Sequence, residues 1–311
     1  MKISGFTMVK NADKLYYPIK ESILSILPLV DEFIVALGKG DENDKTYKII
    51  KSIKSEKIKI INTVWDVKKF PNGMENARQT DIAKSYCKGD WLFYLQADEV
   101  VNEKHLSIIK DNCLKFLNDK NVEGFLFKYL HFWGDFEHYQ ISHGWYKNEV
   151  RIIRNDKDIH SWGDAQSFLR IPNFDGLNYY RKNSTFKLKV KKIDAYIYHY
   201  GWVRPPSLMR KKKKSMDTMY HGEKTSQEIN TENSFDYGII SHLKVFKGEH
   251  PSVMKKWIKK FHWKEQLKYS GKINKNRKKH KHERLKYKII TFLEKIVGKP
   301  LFEKKNYFLI N

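Results

Sequence analysis

The sequence predicts an α/β protein with a mostly parallel central sheet flanked by helices. Short apolar runs alternate with segments that carry apolar residues at helical spacing, in the order β-α-β-α-β-α-β. The helical segments are about 10–15 residues long, which is typical of crossovers between parallel strands. Since ligands of open α/β sheets bind at the carboxyl ends of the strands, we expect functional residues in the loops that follow them.

The four strands of this alternation are rich in branched and aromatic side chains, as strands usually are. Pro28 ends the first helix because proline cannot continue the helical hydrogen-bond pattern. The predicted strands are residues 3–9, 32–37, 57–64 and 90–95, and the predicted helices between them are residues 17–27, 46–55 and 74–86.

The chain continues with further elements and then changes in composition. We predict a helix near residues 103–118, strands at 124–132 and 149–154, and a β-like region at 163–200. The remainder is basic and predominantly helical in pattern. We therefore divide the chain into a domain of residues 1–220 and a basic, mainly helical extension of residues 221–311.

The charge balance limits the classes of partner. Sixty Lys and Arg residues against 36 Asp and Glu give a formal net charge of +24, with much of the excess in residues 210–214 and 255–288. Such a balance favours polyanionic partners: nucleic acid, anionic lipid headgroups or phosphorylated small molecules. A hydrophobic content of 41% and an aromatic content of 14% exclude a wholly disordered chain.

Cysteine content and hydropathy indicate a cytoplasmic protein. Cys87 and Cys113 have no metal-type spacing, so the sequence supports neither a disulfide framework nor a zinc site. The first ten residues lack the pattern of a secretory signal, and no apolar run approaches the roughly 18–20 residues of a spanning helix. We expect a reducing compartment.

Acidic residues at the tip of the fourth strand indicate a binding site. The strand is apolar and aromatic up to Leu95 and is followed by Gln96, Asp98 and Glu99. Carboxylate oxygens at a strand tip can hold a divalent cation against a phosphate-bearing substrate, and we expect Asp98 to face that cation. The alternative is that Asp98 and Glu99 cap the helix that begins near Asn102.

Two earlier loops suit a nucleotide pocket. Residues 10–11 follow the first strand and residues 38–44 follow the second, and both carry short polar side chains or glycine. Ordinary turn chemistry explains the same residues equally well. Neither GxGxxG nor a P-loop lysine motif occurs, which argues against a dinucleotide enzyme or an NTPase.

A second polar cluster provides a candidate base. It comprises Arg151, Arg154, His160, Trp162, Asp164 and Gln166. Asp164 is the natural general-base candidate, although it could equally be a loop acid paired with an arginine.

His199 and a nearby basic run complete the set of candidates. His199 lies among aromatic residues where a strand ends, so it is either a cation or diphosphate ligand or a packed, hydrogen-bonded histidine. The run at residues 210–214 could hold a leaving diphosphate, whereas a solvated helix face is the ordinary alternative.

The combination of these motifs resembles a known family. The resemblance lies in residues 81–84 on a helix, followed by Gly89-Asp90, an apolar strand and Gln96-Ala97-Asp98-Glu99. In these segments the chain resembles the core of family 2 glycosyltransferases, specifically bacterial members with a Gln-Ala-Asp-Glu variant of the DxD motif. The likeness covers residues 1 to about 220. It implies a GT-A type nucleotide-diphospho-sugar transferase fold, a nucleotide-sugar donor and a divalent cation, Mn²⁺ or Mg²⁺.

The resemblance implies roles for particular residues. Asp98 matches the second acid of the DxD motif and, with His199, is an implied metal ligand, whereas Asp164 falls near the catalytic-base position. The residues implied in nucleotide-sugar binding are Thr7, Val9, Asn11, Leu37, Gly38, Arg78, Asp81 and Gln96. Gln96 stands where the family usually has its first acid.

The resemblance also implies an inverting glycosyltransferase that acts on a surface-glycan or glycolipid acceptor in cell-envelope polysaccharide biosynthesis. Its basic surface would contact the anionic inner face of the plasma membrane, and nucleic acid is not expected as a partner. Two alternatives remain: a nucleic-acid-binding protein that uses this basic surface, and a non-catalytic GT-A homologue that binds sugar nucleotides. Residues 287–297 are apolar at helical spacing and flanked by lysines, which suits either a membrane surface or packing on the domain or a partner.

Overall fold

A computed structural model describes residues 1–274 and 277–310, and within them thirteen strands form one mixed sheet with α-helices packed on it. The predicted α/β class is confirmed. The strands are β1 (Ile3–Val9), β2 (Glu32–Gly38), β3 (Ile58–Thr63), β4 (Trp91–Tyr94), β5 (Glu99–Val101), β6 (Gly124–Trp133), β7 (His138–Gln140), β8 (Asn148–Arg154), β9 (Ile159–Trp162), β10 (Ser167–Arg170), β11 (Phe186–Trp202), β12 (Lys244–Val245) and β13 (Tyr307–Leu309). The α-helices are α1 (Ile19–Ile26), α2 (Thr46–Lys51), α3 (Met74–Ser85), α4 (Leu106–Lys115), α5 (Pro206–His221), α6 (Glu223–Ile229), α7 (Lys255–Ile258) and α8 (Leu285–Val297).

The sheet is parallel in its first half and mixed in its second. Its main order is β3-β2-β1-β4-β8-β6-β11-β10-β9, and the first four strands of that order are mutually parallel, as the alternation with helices predicts. Beyond β4 the directions change, because β8 is antiparallel to both β4 and β6. The connections from β6 through β7 to β8 are too short for crossover helices, so these strands run antiparallel.

Residue alternation along the parallel strands separates two cores. In β4, Trp91 and Phe93 face a core that includes α1, α2 and α4, whereas Leu92 and Tyr94 face the core on the side of α3. All four side chains are fully buried. A strand that is buried on both faces is expected to be apolar along its whole length. The strand β4 accordingly ends where polar residues begin in the sequence.

The strand β11 brings distant parts of the chain to the end of β4. It pairs in parallel with β6 and antiparallel with β5, where His199 stands opposite Glu99. The backbone N–H of Tyr200 donates to the carbonyl of Asp98 at 2.8 Å. This pairing places the end of β11 directly beside the acidic tip that follows β4.

The segment after residue 220 packs on the sheet. A third core unites Phe132 and Tyr200 of the sheet with Tyr237, Met254 and Trp263, and β13 pairs with β11. The division at residue 220 stays a prediction; it falls at the end of α5. Within the described residues, no helix has the length and apolar character needed to cross a bilayer.

Candidate functional site

A cavity of about 770 Å³ opens at the carboxyl ends of the parallel strands, and we call it the strand-edge cavity. Its wall brings together the loop after β1, the tip that follows β4, the end of β11 and the helix α5. The predicted site residues that line it are Val9, Asn11, Gln96, Asp98, Asp164 and His199.

Asp98 lies at the base of this cavity among positive charges. Its side chain is only 6% exposed, and Oδ2 accepts a hydrogen bond from Lys212 Nζ at 3.0 Å, with Arg204 Nη2 at 4.0 Å. Burial is the largest single influence and raises the pKa of the Asp98 carboxyl, but the charges of Lys212, His199 and Arg204 and the hydrogen bond from Lys212 together outweigh it and hold the pKa well below its usual value. Burial also lowers the pKa of the Lys212 ammonium to about 8, so the pair is charged at neutral pH.

Glu99 has a different role from its neighbour. Its carboxylate is buried and accepts two hydrogen bonds from Arg151, at 2.8 and 2.9 Å, and a third from the hydroxyl of Tyr129. Asn102 caps the following turn, since its side-chain oxygen accepts from the backbone N–H of Lys104. The alternative prediction that Asp98 and Glu99 cap this helix is therefore wrong.

The neighbouring His131 fixes the protonation state of His199. The Nε2 of His131 lies 2.8 Å from the carbonyl of Tyr146, which can only accept, and burial lowers the pKa of His131 to about 3. His131 is therefore neutral, and its Nδ1 accepts from the Nδ1–H of His199 at 2.9 Å. Burial lowers the pKa of His199 to about 4, so its Nε2 carries a lone pair.

That lone pair fits a cation. His199 Nε2 faces Asp98 Oδ1 at 3.8 Å, so two donor atoms of the kinds that bind divalent metals point at each other. Gly201 keeps this space open, because a Cβ there would lie 2.4 Å from His199 Nε2 and 2.8 Å from Asp98 Oδ2. Residues 1–274 and 277–310 contain no cluster of three or more His, Cys, Asp or Glu suited to a metal, so the protein would supply two ligands.

Asp164 is presented by a strained loop. Gly163 and Ala165 on either side both have φ of +68°, a conformation that is unfavourable for alanine. The hydroxyl of Tyr220 donates to Asp164 Oδ2 at 2.5 Å, and the side-chain amide of Gln96 donates to the carbonyl of Ala165 at 3.3 Å. These contacts fix the carboxylate over the strand-edge cavity.

A second cavity of about 630 Å³ adjoins the first, and we call it the aromatic cavity. The residues that line both cavities are Tyr146, Asp164, Gln166, His199 and Trp202. The remaining wall of the aromatic cavity is rich in tryptophan and lysine and includes Trp133, Trp145, Lys147, Lys213, Lys281 and Lys304. Asp164 thus stands where two ligands could meet.

Five residues implied in donor binding do not line the strand-edge cavity: Thr7, Leu37, Gly38, Arg78 and Asp81. Thr7 and Leu37 are buried in the sheet, and Arg78 pairs with Glu75 at 2.8 Å. Asp81 accepts from the Nδ1 of His160 and the backbone N–H of Ser161, both at 2.8 Å. Their roles in binding stay predictions.

Gly38 acts on the cavity indirectly. A Cβ at this position would lie 2.3 Å from Trp65 Nε1, so the glycine makes room for the indole of Trp65, which lines the cavity. This indole N–H is buried and has no hydrogen-bond partner among the residues that the structure describes. Trp65 was not predicted from the sequence; a tryptophan directly after the third strand was the available signal.

Comparisons with known proteins give distant similarities. Neither a protein-family model nor a curated protein matches the sequence. Among solved structures, S. aureus TarS is 15% identical with a TM-score of 0.41 over 74% of this chain and 42% of that one. TarS residues 1–349 in complex with UDP gives 14% identity and a TM-score of 0.37, over 74% and 70% of the two chains.

A third similar structure is glucosyl-3-phosphoglycerate synthase from Mycobacterium tuberculosis in complex with Mn²⁺, UDP and phosphoglyceric acid. It is 17% identical with a TM-score of 0.28, over 42% of this chain and 43% of that one. The matched region thus spans less than half of the first TarS chain and of the synthase. With TM-scores below 0.5, these similarities do not establish a shared activity.

Proposed function

We propose that this chain is a GT-A type glycosyltransferase that uses a nucleotide-sugar donor and inverts the anomeric centre. The observation that carries the proposal is the position of Asp164, which lines both the strand-edge cavity and the aromatic cavity. A transferase must hold two substrates against one base, and positioning of this kind contributes much of the catalysis. The donor occupies the strand-edge cavity and the acceptor the aromatic cavity.

The strand-edge cavity has groups suited to each part of a nucleotide sugar. Asn11 and the ring of Trp65 line the part of the cavity that would take the base and ribose. Lys212 provides positive charge at the base of the cavity, where the diphosphate would lie. Neutralising the diphosphate favours its departure as a leaving group.

Asp98 Oδ1 and His199 Nε2 would hold a divalent cation, Mn²⁺ or Mg²⁺, with donor phosphate oxygens and water as further ligands. When bound, such an ion would offset the charge that develops on the leaving diphosphate. The buried His131 keeps His199 in the tautomer that can ligate, as outer-shell partners of metal ligands commonly do.

Transfer then proceeds by direct displacement. The carboxylate of Asp164 takes the proton of an acceptor hydroxyl, and the hydroxyl oxygen forms a bond to the anomeric carbon. The bond from that carbon to the diphosphate oxygen breaks, and its electron pair leaves with the nucleoside diphosphate. Attack from the side opposite the leaving group inverts the configuration. Tyr220, which donates to Asp164 at 2.5 Å, orients the base.

The acceptor is a surface glycan or glycolipid of the cell envelope. The aromatic cavity supports this class because the partly exposed rings of Trp145 and Trp202 line it and offer surface on which sugar rings stack. Its lysines suit an acceptor that carries phosphate or carboxylate groups. We place the protein at the cytoplasmic face of the membrane, where its basic surface would meet anionic headgroups.

Thermal-shift screening tests the proposal. UDP-, GDP- or CMP-linked sugars with Mn²⁺ should raise the melting temperature, because a ligand that binds only the native state stabilises it. Asp164→Asn should keep this shift but lose at least about 100-fold in transfer, whereas the exposed Asp111→Asn should change neither. Absence of any shift, together with tight, salt-sensitive RNA binding, would support the nucleic-acid alternative instead.

A further inference from the structure

The helix α8 is arranged with its apolar side outward. The residues of this helix that face solvent include Leu285, Ile289, Phe292, Leu293, Ile296 and Val297. Leu285 is 73% exposed, Phe292 63% and Ile296 66%, whereas the buried residue of the helix is Glu294 at 6%. A helix that packs on a protein core normally shows the reverse distribution.

Polar contacts fix this orientation. The carboxylate of Glu294 accepts from His143 Nδ1 at 2.9 Å and from Lys147 Nζ at 3.0 Å, and it also accepts from the backbone N–H of Leu301. Thr291, one turn earlier, accepts from the backbone N–H of His143 at 2.8 Å. The helix therefore cannot turn its apolar side inward without breaking these four hydrogen bonds.

The exposed residues form one continuous stripe. At 3.6 residues per turn, Leu285, Ile289, Phe292, Leu293 and Ile296 fall within about 100° of the helix circumference, on the side opposite Glu294. Phe302, just beyond the helix, is 86% exposed.

Lysines flank the stripe on both sides. Lys286 lies on one side of the stripe and Lys288 and Lys295 lie on the other, and all three are exposed. Glu294 is the acidic residue of α8, and its charge is directed into the protein body. The outer surface of α8 therefore combines apolar side chains with positive charge.

We propose that α8 docks the protein onto an anionic lipid bilayer, with its stripe below the headgroups and its lysines among them. An apolar stripe bordered by lysines is the pattern of a helix that lies in the plane of a membrane interface. The charge favours lipid over an ordinary protein partner, because anionic headgroups complement a lysine border and a chain of net charge +24.

Docking would also place the aromatic cavity at the membrane. Leu301, Phe302 and Lys304 follow α8 directly and line that cavity. The acceptor would then be a lipid-linked glycan whose anchor stays in the bilayer. This consequence rests on the proposed function, whereas the docking itself does not.

Flotation of the full chain with vesicles tests the docking. The protein should float with vesicles of equal parts phosphatidylcholine and phosphatidylglycerol, and much less with phosphatidylcholine alone. Phe292→Ser combined with Ile296→Ser should weaken binding at least about tenfold, since two apolar side chains no longer leave water. Phe186→Ser, at a residue that is 57% exposed elsewhere, is the matched control and should bind like the unaltered chain.

Charge variants provide a second arm. Lys286→Glu, Lys288→Glu and Lys295→Glu together should weaken flotation far more than the exposed set Lys48→Glu, Lys68→Glu and Lys120→Glu, although both change net charge equally. Equal losses in the two sets, or unchanged binding in the serine variant, would overturn the proposal. The proposal would also be overturned if the chain bound no vesicles but formed a dimer, and Phe292→Ser abolished that dimer, because a second copy would then cover α8.

The two proposals fail in different ways. Nucleotide-sugar binding in solution, measured by thermal shift, should be unchanged in the serine variant, since α8 does not line the strand-edge cavity. A chain that floats with anionic vesicles but binds no nucleotide sugar would support docking and contradict the glycosyltransferase function.

Discussion

The ion pair between Asp98 and Lys212 at the base of the strand-edge cavity gives a prediction about the stability of the folded chain. In Asp98→Asn, the buried ammonium of Lys212 loses its carboxylate at 3.0 Å and remains near the guanidinium of Arg204. Removing one partner of a buried pair costs about 3–5 kcal/mol because the other charge is left uncompensated. For a chain of 311 residues, we expect the melting temperature to fall by about 5–8 °C.

A double-variant cycle separates the pair from its surroundings. Adding Lys212→Met to Asp98→Asn removes the uncompensated charge, so the double variant should be more stable than Asp98→Asn alone, with a coupling free energy of at least about 1 kcal/mol. Asp194→Asn is the matched control: it breaks an ion pair with Lys128 in which Asp194 is 72% exposed, and its melting temperature should not change. Additive losses in the cycle, or an unaltered melting temperature for Asp98→Asn, would refute the reasoning.

Two further predictions concern a buried acid and the cation site. Burial raises the pKa of Glu149 from 4.5 to about 7, so the folded state binds more protons than the unfolded state between these two values, and the free energy of unfolding should fall by about 3 kcal/mol as pH rises through them. In Glu149→Gln, urea titrations across this pH range should show a weaker dependence of the free energy of unfolding on pH. An unchanged pH dependence would contradict the assignment. Gly201→Ala should abolish the increase in nucleotide-sugar affinity that Mn²⁺ gives, because the methyl group fills the space between Asp98 and His199. The affinity measured in EDTA should be retained. Calorimetry that finds the Mn²⁺ effect intact would contradict the cation site.

The sequence predicts the parallel half of the fold well because its signal is local. Period and length identify β1 to β4 and the helices between them to within a few residues, and the strand-edge rule then places the site beside Asp98. The mixed second half depends on pairings between distant strands, which periodicity does not report. The prediction of a mostly parallel sheet therefore extends correctly only to β4.

The neighbours of Asp98 illustrate the same limit. Lys212 lies 114 residues away in a basic run that the sequence predicts as a possible diphosphate contact, but nothing local distinguishes this lysine from the four other basic residues around it. Arg151, predicted in a polar cluster with Asp164, instead pairs with Glu99 in the interior. Long-range ion pairs of this kind are set by tertiary packing, which a single sequence does not encode in its spacing.

The hydrogen bond from Gln96 to the carbonyl of Ala165 makes two distant positions interdependent. A carboxylate at residue 96 could not donate this bond and would instead repel the carbonyl oxygen. Introducing the acid that the DxD pattern usually has there would thus release the loop that carries Asp164. Gln96 is in this sense a support for the base rather than a weakened acid, and an exchange to Asp would require a compensating change in the loop of residues 163–165. The effects of substitutions at residue 96 and in the loop of residues 163–165 should therefore depend on one another, although the sequence of the DxD motif alone does not indicate this.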